Sequence, residues 1–188
     1  TIVDAKGIDR VLQVTSGNVM ISGLKITGGA IELNDGESSS GGLRNMGNTT
    51  LSNVAVSGNT TWGDGGGINN GNGGTLTITD SVISGNTSNS AAGGIENGGS
   101  LTIERSRIEG NEAFVGGGID HYAGTLTITD STVLSNHASG AFGGGGGIQN
   151  GGNAVLVITG STIADNSSVA DGAGLKSRDN STATITNS

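Results

Sequence analysis

A chain of 188 residues with 38 Gly, no Pro, no Cys, 2% aromatic and 13% charged residues argues against an aromatic-anchored α/β core, and its Gly, Asn, Ser and Thr disfavour helix throughout. A formal net charge of −8 and a pI near 4.4 set it against phosphate backbones and anionic lipid, so nucleic acid is not an expected partner. No apolar run is long enough to span a bilayer, and without Cys there is no disulfide to report the redox compartment.

In chain order, the sequence opens on strand-like TIVDA (1–5) and shows a repeating unit faintly in NVMISGLKITGG (18–29). A degenerate copy follows, NTTLSNVAVSGN (48–59), then four clear ones: TLTITDSVISGN (75–86), SLTIERSRIEGN (100–111), TLTITDSTVLSN (125–136) and VLVITGSTIADN (155–166). TATITNS (182–188) begins another. The second apolar position of the unit falls at Ile21, Leu51, Ile78, Ile103, Ile128, Ile158 and Ile185, with separations of 30, 27, 25, 25, 30 and 27. Between the units stand Gly42-Leu43, Gly67-Ile68, Gly94-Ile95, Gly118-Ile119, Gly147-Ile148 and Gly174-Leu175. The glycine runs thus keep phase with the repeat, which a flexible linker has no reason to do and a solenoid coil does.

Alternation within the unit places Leu76 and Ile78 on one face and Thr77 and Thr79 on the other; a corner at Asp80-Ser81 then turns Ile83 inward. Each coil is expected to hold three short strands, at Gly-Gly-Ile, at Leu-Thr-Ile-Thr and around Ile83. The fold expected is all-β: a right-handed, single-stranded parallel β-helix of about seven coils of 25–30 residues, forming one domain over 1–188 with neither end evidently capped. Ile26, Val56, Ile83, Ile108, Val133 and Ile163 read as an aliphatic stack, with Ser81, Ser106, Ser131 and Ser161 at a cramped corner. Two polar columns read as amide ladders: Asn59, Asn86, Asn111, Asn136 and Asn166 after the Ile83-type strand, and Asn45, Asn70, Asn97 and Asn150 after Gly-Gly-Ile.

The alternation of Gly-Gly-Ile with an aliphatic-x-x-Asn unit, from about Val11 onward, resembles the GGAI and FxxN repeats of the polymorphic outer-membrane proteins. Val or Ile stands here where that family has Phe. The resemblance implies a β-helical passenger of the autotransporter-adhesin kind, displayed at a bacterial surface. It also extends to Gly-Asn-Thr-rich β-helix proteins of environmental bacteria.

Polysaccharide lyases and hydrolases share this architecture, so chemistry has to be weighed residue by residue. Glu96 and Asp120 follow Ile95 and Ile119 and are expected side by side on adjacent coils, the arrangement a glycosidase would need. His121 adjoins them, yet it occupies the column of Asn70, Asn97 and Asn150 and reads as a substitute for a ladder amide. Glu104, Arg105, Arg107, Glu109 and Glu112 read as salt-linked surface, and Lys176 and Arg178 as solvated turn residues. GDGGGINNGNGG (63–74) lacks the nine-residue spacing of calcium repeats, so no metal or cofactor is expected. Trp62, Phe114 and Phe142 recur shortly before Gly-Gly-Ile and read as a loop-packing column capping one edge, with a ligand-facing, sugar-stacking platform as the alternative. The longest departures from the coil, 30–41 and 137–146, are where binding specificity is expected. Outward Thr77/Thr79, Thr127/Thr129 and Thr184/Thr186 resemble the Thr-x-Thr rows of ice-binding solenoids, with Met20, Glu104 and Val157 interrupting.

The expected function is that of a non-enzymatic, extracellular structural or adhesive module: a stalk, an adhesin passenger or a filament subunit. A carbohydrate-active enzyme is the alternative, and ice binding a further one. The expected partners are more β-helix at one or both ends and glycans or a cell surface, without membrane insertion.

Overall fold

The computed structural model describes residues 1–32, 39–141 and 144–188. Among them there is no helix; all regular structure is short parallel strand. The strands stack into three seven-stranded sheets and one six-stranded sheet, forming a β-solenoid of about seven turns.

The first sheet carries the Gly-Gly-Ile strands: Leu12–Val14, Leu43–Asn45, Ile68–Asn70, Ile95–Asn97, Ile119–His121, Ile148–Asn150 and Leu175–Ser177. The second is built from five-residue strands, among them Thr75–Thr79, Ser100–Glu104 and Thr125–Thr129. The third follows the Asp-Ser corner, as in Val82–Ser84 and Arg107–Glu109. Neighbouring strands lie in register without slip: Leu76 faces Leu101, Ile78 faces Ile103, Ile83 faces Ile108 and Ile68 faces Ile95. Identical side chains therefore stack every layer, about 4.8 Å apart. The interior they fill is aliphatic, with Leu76, Ile78, Ile83, Ile95, Ile103, Ile108 and Ile119 fully buried. Each such side chain contributes on the order of 2 kcal/mol relative to exposure.

The fourth sheet corrects the expectation of three strands per coil. After the column of Asn59, Asn86, Asn111, Asn136 and Asn166, which forms the corner ladder, the chain extends again for two residues, in Ala30–Ile31, Thr60–Thr61, Thr87–Ser88, Glu112–Ala113, His137–Ala138 and Ser167–Ser168. Its inward positions are held mostly by small residues: Thr61, Ser88, Ala113 and Ala138 are all buried. Two residues with a Thr, Ser or Ala inside give no alternation of hydropathy, and this is why the strand does not announce itself.

Corners repeat as strictly as strands. At the turn between the second and third sheets Asn53, Asp80, Arg105 and Asp130 all take positive φ, between 45° and 54°. Asn and Asp tolerate this left-handed region and Arg does not. Arg105 is held there with its guanidinium on Asp80, Nε to Oδ1 at 2.8 Å and an Nη to Oδ2 at 3.0 Å. That bridge and the Arg105–Glu104 and Arg107–Glu109 pairs are exposed, as expected of this charge-rich coil.

Candidate functional site

The stretch FGGGGGIQNGG (142–152) shows how the coil is built around its most polar face; Phe142 and Gly143 lie outside the described residues. At Gly145 the chain turns through φ +69° and folds back over the strand that follows; a Cβ there would stand 2.3 Å from the Ile148 carbonyl oxygen. Gly147 faces the corner ladder, where a Cβ would meet the Asn166 amide at 2.9 Å. The glycines are thus required by close approach and left-handed backbone within one coil.

The corner ladder is complete. Asn59 donates from Nδ2 to Asn86 Oδ1 at 2.9 Å, Asn86 to Asn111 and Asn111 to Asn136 at 3.0 Å, and Asn136 to Asn166 at 2.9 Å. The second Nδ2 proton of Asn86, Asn111 and Asn136 goes to the carbonyls of Val56, Ile83 and Ile108. Each Oδ1 also accepts the backbone N–H of the ladder residue one coil back. The four Ser at the cramped corner form a third ladder that the sequence did not suggest: Ser81, Ser106 and Ser131 accept from the backbone N–H one coil back and donate to the carbonyl two residues earlier.

The ladder of the first sheet runs from Asn45 to Asn70 at 2.8 Å and from Asn70 to Asn97 at 2.7 Å, and then meets His121. Asn97 Nδ2 lies 3.0 Å from His121 Nδ1, and His121 Nε2 lies 3.2 Å from the Val155 carbonyl. This network assigns the proton to Nε2, with Nδ1 accepting. Burial pushes the imidazole below its ordinary value, favouring the neutral ring. His121 is fully buried and takes the ladder role expected of it, away from the outer face. The substitution has a structural consequence. His121 has no donor left for the next coil, and Asn150 Oδ1 is buried without a hydrogen bond.

Glu96 and Asp120 occupy the opposite, outward face of the same strands and are paired in register on adjacent coils. Outward residues of a sheet are ordinarily solvated, yet Asn69, Glu96 and Asp120 are each 8% exposed and Gln149 is 3% exposed. They form the floor of a trough. One wall is the left-handed turn before each strand; at Gly116 a Cβ would stand 2.8 Å from Asp120 Cβ. The other wall is the position after the ladder residue, where Met46, Gly71, Gly98, Tyr122, Gly151 and Arg178 stack through successive backbone hydrogen bonds. Large and absent side chains complement each other there. Met46 lies over Gly71, Tyr122 over Gly98 and Arg178 near Gly151, and the Tyr122 hydroxyl reaches Asn72 Oδ1 at 3.4 Å.

The floor side chains pair across layers. Asn69 Nδ2 donates to Glu96 Oε2, and Gln149 Nε2 donates to Asp120 Oδ1 at 3.0 Å. Burial, reinforced by the carboxylates of Asp64 and Asp120, pushes Glu96 up to about 8. Burial pushes Asp120 up to about 6, against the Gln149 hydrogen bond and the nearby Arg178 charge. Tyr122 is raised by burial and by Glu96, Asp120 and Asp64. At neutral pH the pair thus holds Glu96 as a neutral acid beside an ionised Asp120, a combination able to donate and accept a proton at neighbouring points.

Trp62 and Phe114 stand on a separate edge, beyond the fourth sheet, each 46% exposed. Lys176 is drawn to Asp171, its Nζ 3.9 Å from Oδ2. Among the described residues no His, Asp and Glu are grouped to hold a metal ion. No family model, curated protein or solved structure matches the chain.

Proposed function

We propose that the chain is an extracellular structural and adhesive module, a rigid β-helical rod that works by binding along its length. The observation that carries this reading is the pairing of the trough-floor side chains across layers. Asn69 holds Glu96 and Gln149 holds Asp120, so four residues of the most polar outward column are joined across layers as two hydrogen-bonded pairs. A column fixed this way is a preorganised contact surface, with little reorganisation needed on engaging an extended polymer such as a glycan. The test is retention on immobilised neutral and acidic polysaccharides, followed by analysis of the eluate for shortened or unsaturated products. Saturable retention without products is the expected result; products would overturn it.

A carbohydrate-active enzyme is the second reading, favoured by the separation of Glu96 and Asp120 into acid and base on adjacent layers. In-register strands lie about 4.8 Å apart, near the carboxyl separation of about 5 Å that retaining glycosidases use. In this reading Glu96→Gln and Asp120→Asn each abolish product release while leaving retention intact.

A further inference from the structure

Among the described residues the apolar core contains only Ile, Leu, Val and Ala, and Trp62, Phe114 and Tyr122 lie outside it. Tyr122 is committed to the trough wall. Trp62 and Phe114 are placed differently. Each directly follows an inward residue of the fourth sheet, Thr61 at 3% and Ala113 at 1% exposure, so each projects outward. Backbone hydrogen bonds from Asn89 to Thr61, Ser139 to Ala113 and Val169 to Ala138 set Trp62, Asn89, Phe114, Ser139 and Val169 in one column. A one-residue bulge interrupts it at Asn89-Ser90, where the N–H groups of Phe114 and Val115 both reach the Ser90 carbonyl.

The two rings therefore stand two layers apart, about 9–10 Å along the rod. Asn89, exposed and with no neighbour competing for its amide in the ladders, lies between them, and Ser139 lies beyond. Phe114 is seated: a Cβ on Gly140 would fall 2.8 Å from its ring carbons Cδ1 and Cε1, so the ring rests on bare backbone of the next coil.

We infer that this edge is a stacking platform for a neutral, extended β-1,4-linked pyranose chain, with Trp62 and Phe114 under alternate sugars and Asn89 hydrogen-bonding the sugar between. An aromatic face is electron-rich and receives the C–H face of a pyranose. In an extended β-1,4 chain every second sugar presents the same face, at a repeat close to two β-layers. Charge selects against acidic polymers: the chain carries −8 overall, and Asp64 and Glu112 lie within two residues of the two rings. The inference rests on the reading of the chain as a glycan-binding module and assigns it a second contact surface, apart from the trough.

Trp62 is the sole Trp, so its fluorescence reports this site alone. The experiment titrates the protein with β-1,4-linked glucose and N-acetylglucosamine oligomers, from disaccharide to hexasaccharide. The expected result is a saturable change whose affinity rises about tenfold once the oligomer spans both rings. Phe114→Ala keeps the reporter and is expected to abolish that length dependence, while Phe114→Trp retains it; thermal melts establish that the variants are folded. No saturable change with any oligomer, or an unaltered length dependence in Phe114→Ala, overturns the platform. Retention of a Trp62→Ala, Phe114→Ala double variant on the same polysaccharide overturns this site alone. Absence of retention even for the unaltered protein overturns the binding reading as well.

Discussion

The two Asn ladders run side by side through the same coils, and one is continuous while the other is interrupted. At the corner, Asn86, Asn111 and Asn136 each use both amide protons and accept twice at Oδ1. In the first sheet, His121 accepts from Asn97 and donates to Val155, and the valence it lacks appears one coil later as the orphan Asn150 Oδ1. The difference teaches that a ladder residue is defined by its count of donors and acceptors. Size and burial alone are not enough, since His121 fits the space and still leaves a buried acceptor unmet.

The largest expected effect comes from breaking the complete ladder. Asn111→Ala removes the acceptor of one Asn86 Nδ2 proton and of the Asn86 backbone N–H, and the amide donor to the Ile83 carbonyl, and is expected to cost about 3–5 kcal/mol by urea unfolding. An effect below about 1 kcal/mol would mean that water replaces the ladder.

Next in size is the outward face of the interrupted strands. Glu96 holds its proton more tightly folded than unfolded, so stability falls as pH rises from about 4.5 towards about 8, and Asp120 adds a smaller loss between about 4 and about 6. Glu96→Gln is expected to stabilise by about 1–3 kcal/mol at pH 8 and by little at pH 4.5. Equal effects at both pH values would show that Glu96 is freely solvated.

Repairing the interrupted ladder is a smaller step of opposite logic. His121→Asn supplies an Nδ2 for Asn150 Oδ1 and is expected to stabilise by about 1 kcal/mol at pH 7. Because the buried imidazole resists protonation, the gain grows as pH falls below about 6.5, where the unfolded histidine takes up a proton. A destabilised variant would mean that the ring's packing outweighs the missing hydrogen bond.

The smallest effect concerns the residue before the corner ladder. Gly58, Gly85 and Gly110 precede Asn59, Asn86 and Asn111 with φ between 59° and 65°, and Ser135 takes φ 53° at the same place. Ser135→Gly removes that strain and is expected to raise stability by about 0.5–1 kcal/mol, readable as a shift in the urea midpoint.

Much of this is written in the sequence because one unit is repeated in phase. The recurrence of Ile78, Ile103 and Ile128 determined the coil, the aliphatic interior and the register; Asn59 to Asn166 and Asn45 to Asn150 determined which polar side chains point inward; and the place of His121 among them followed from its column. Repetition carries such information because in-register stacking turns each recurring letter into a contact with itself. The fourth sheet and the Ser ladder were not legible, since Thr61, Ser88, Ala113 and Ser81 look like ordinary turn residues until the coil closes around them. The adjacency of Glu96 and Asp120 could be read from spacing, but their protonation could not. It depends on Tyr122, the left-handed glycine turns and Asp64 closing over an outward face, and burial of that kind arises from distant segments of the chain that only the tertiary structure brings together.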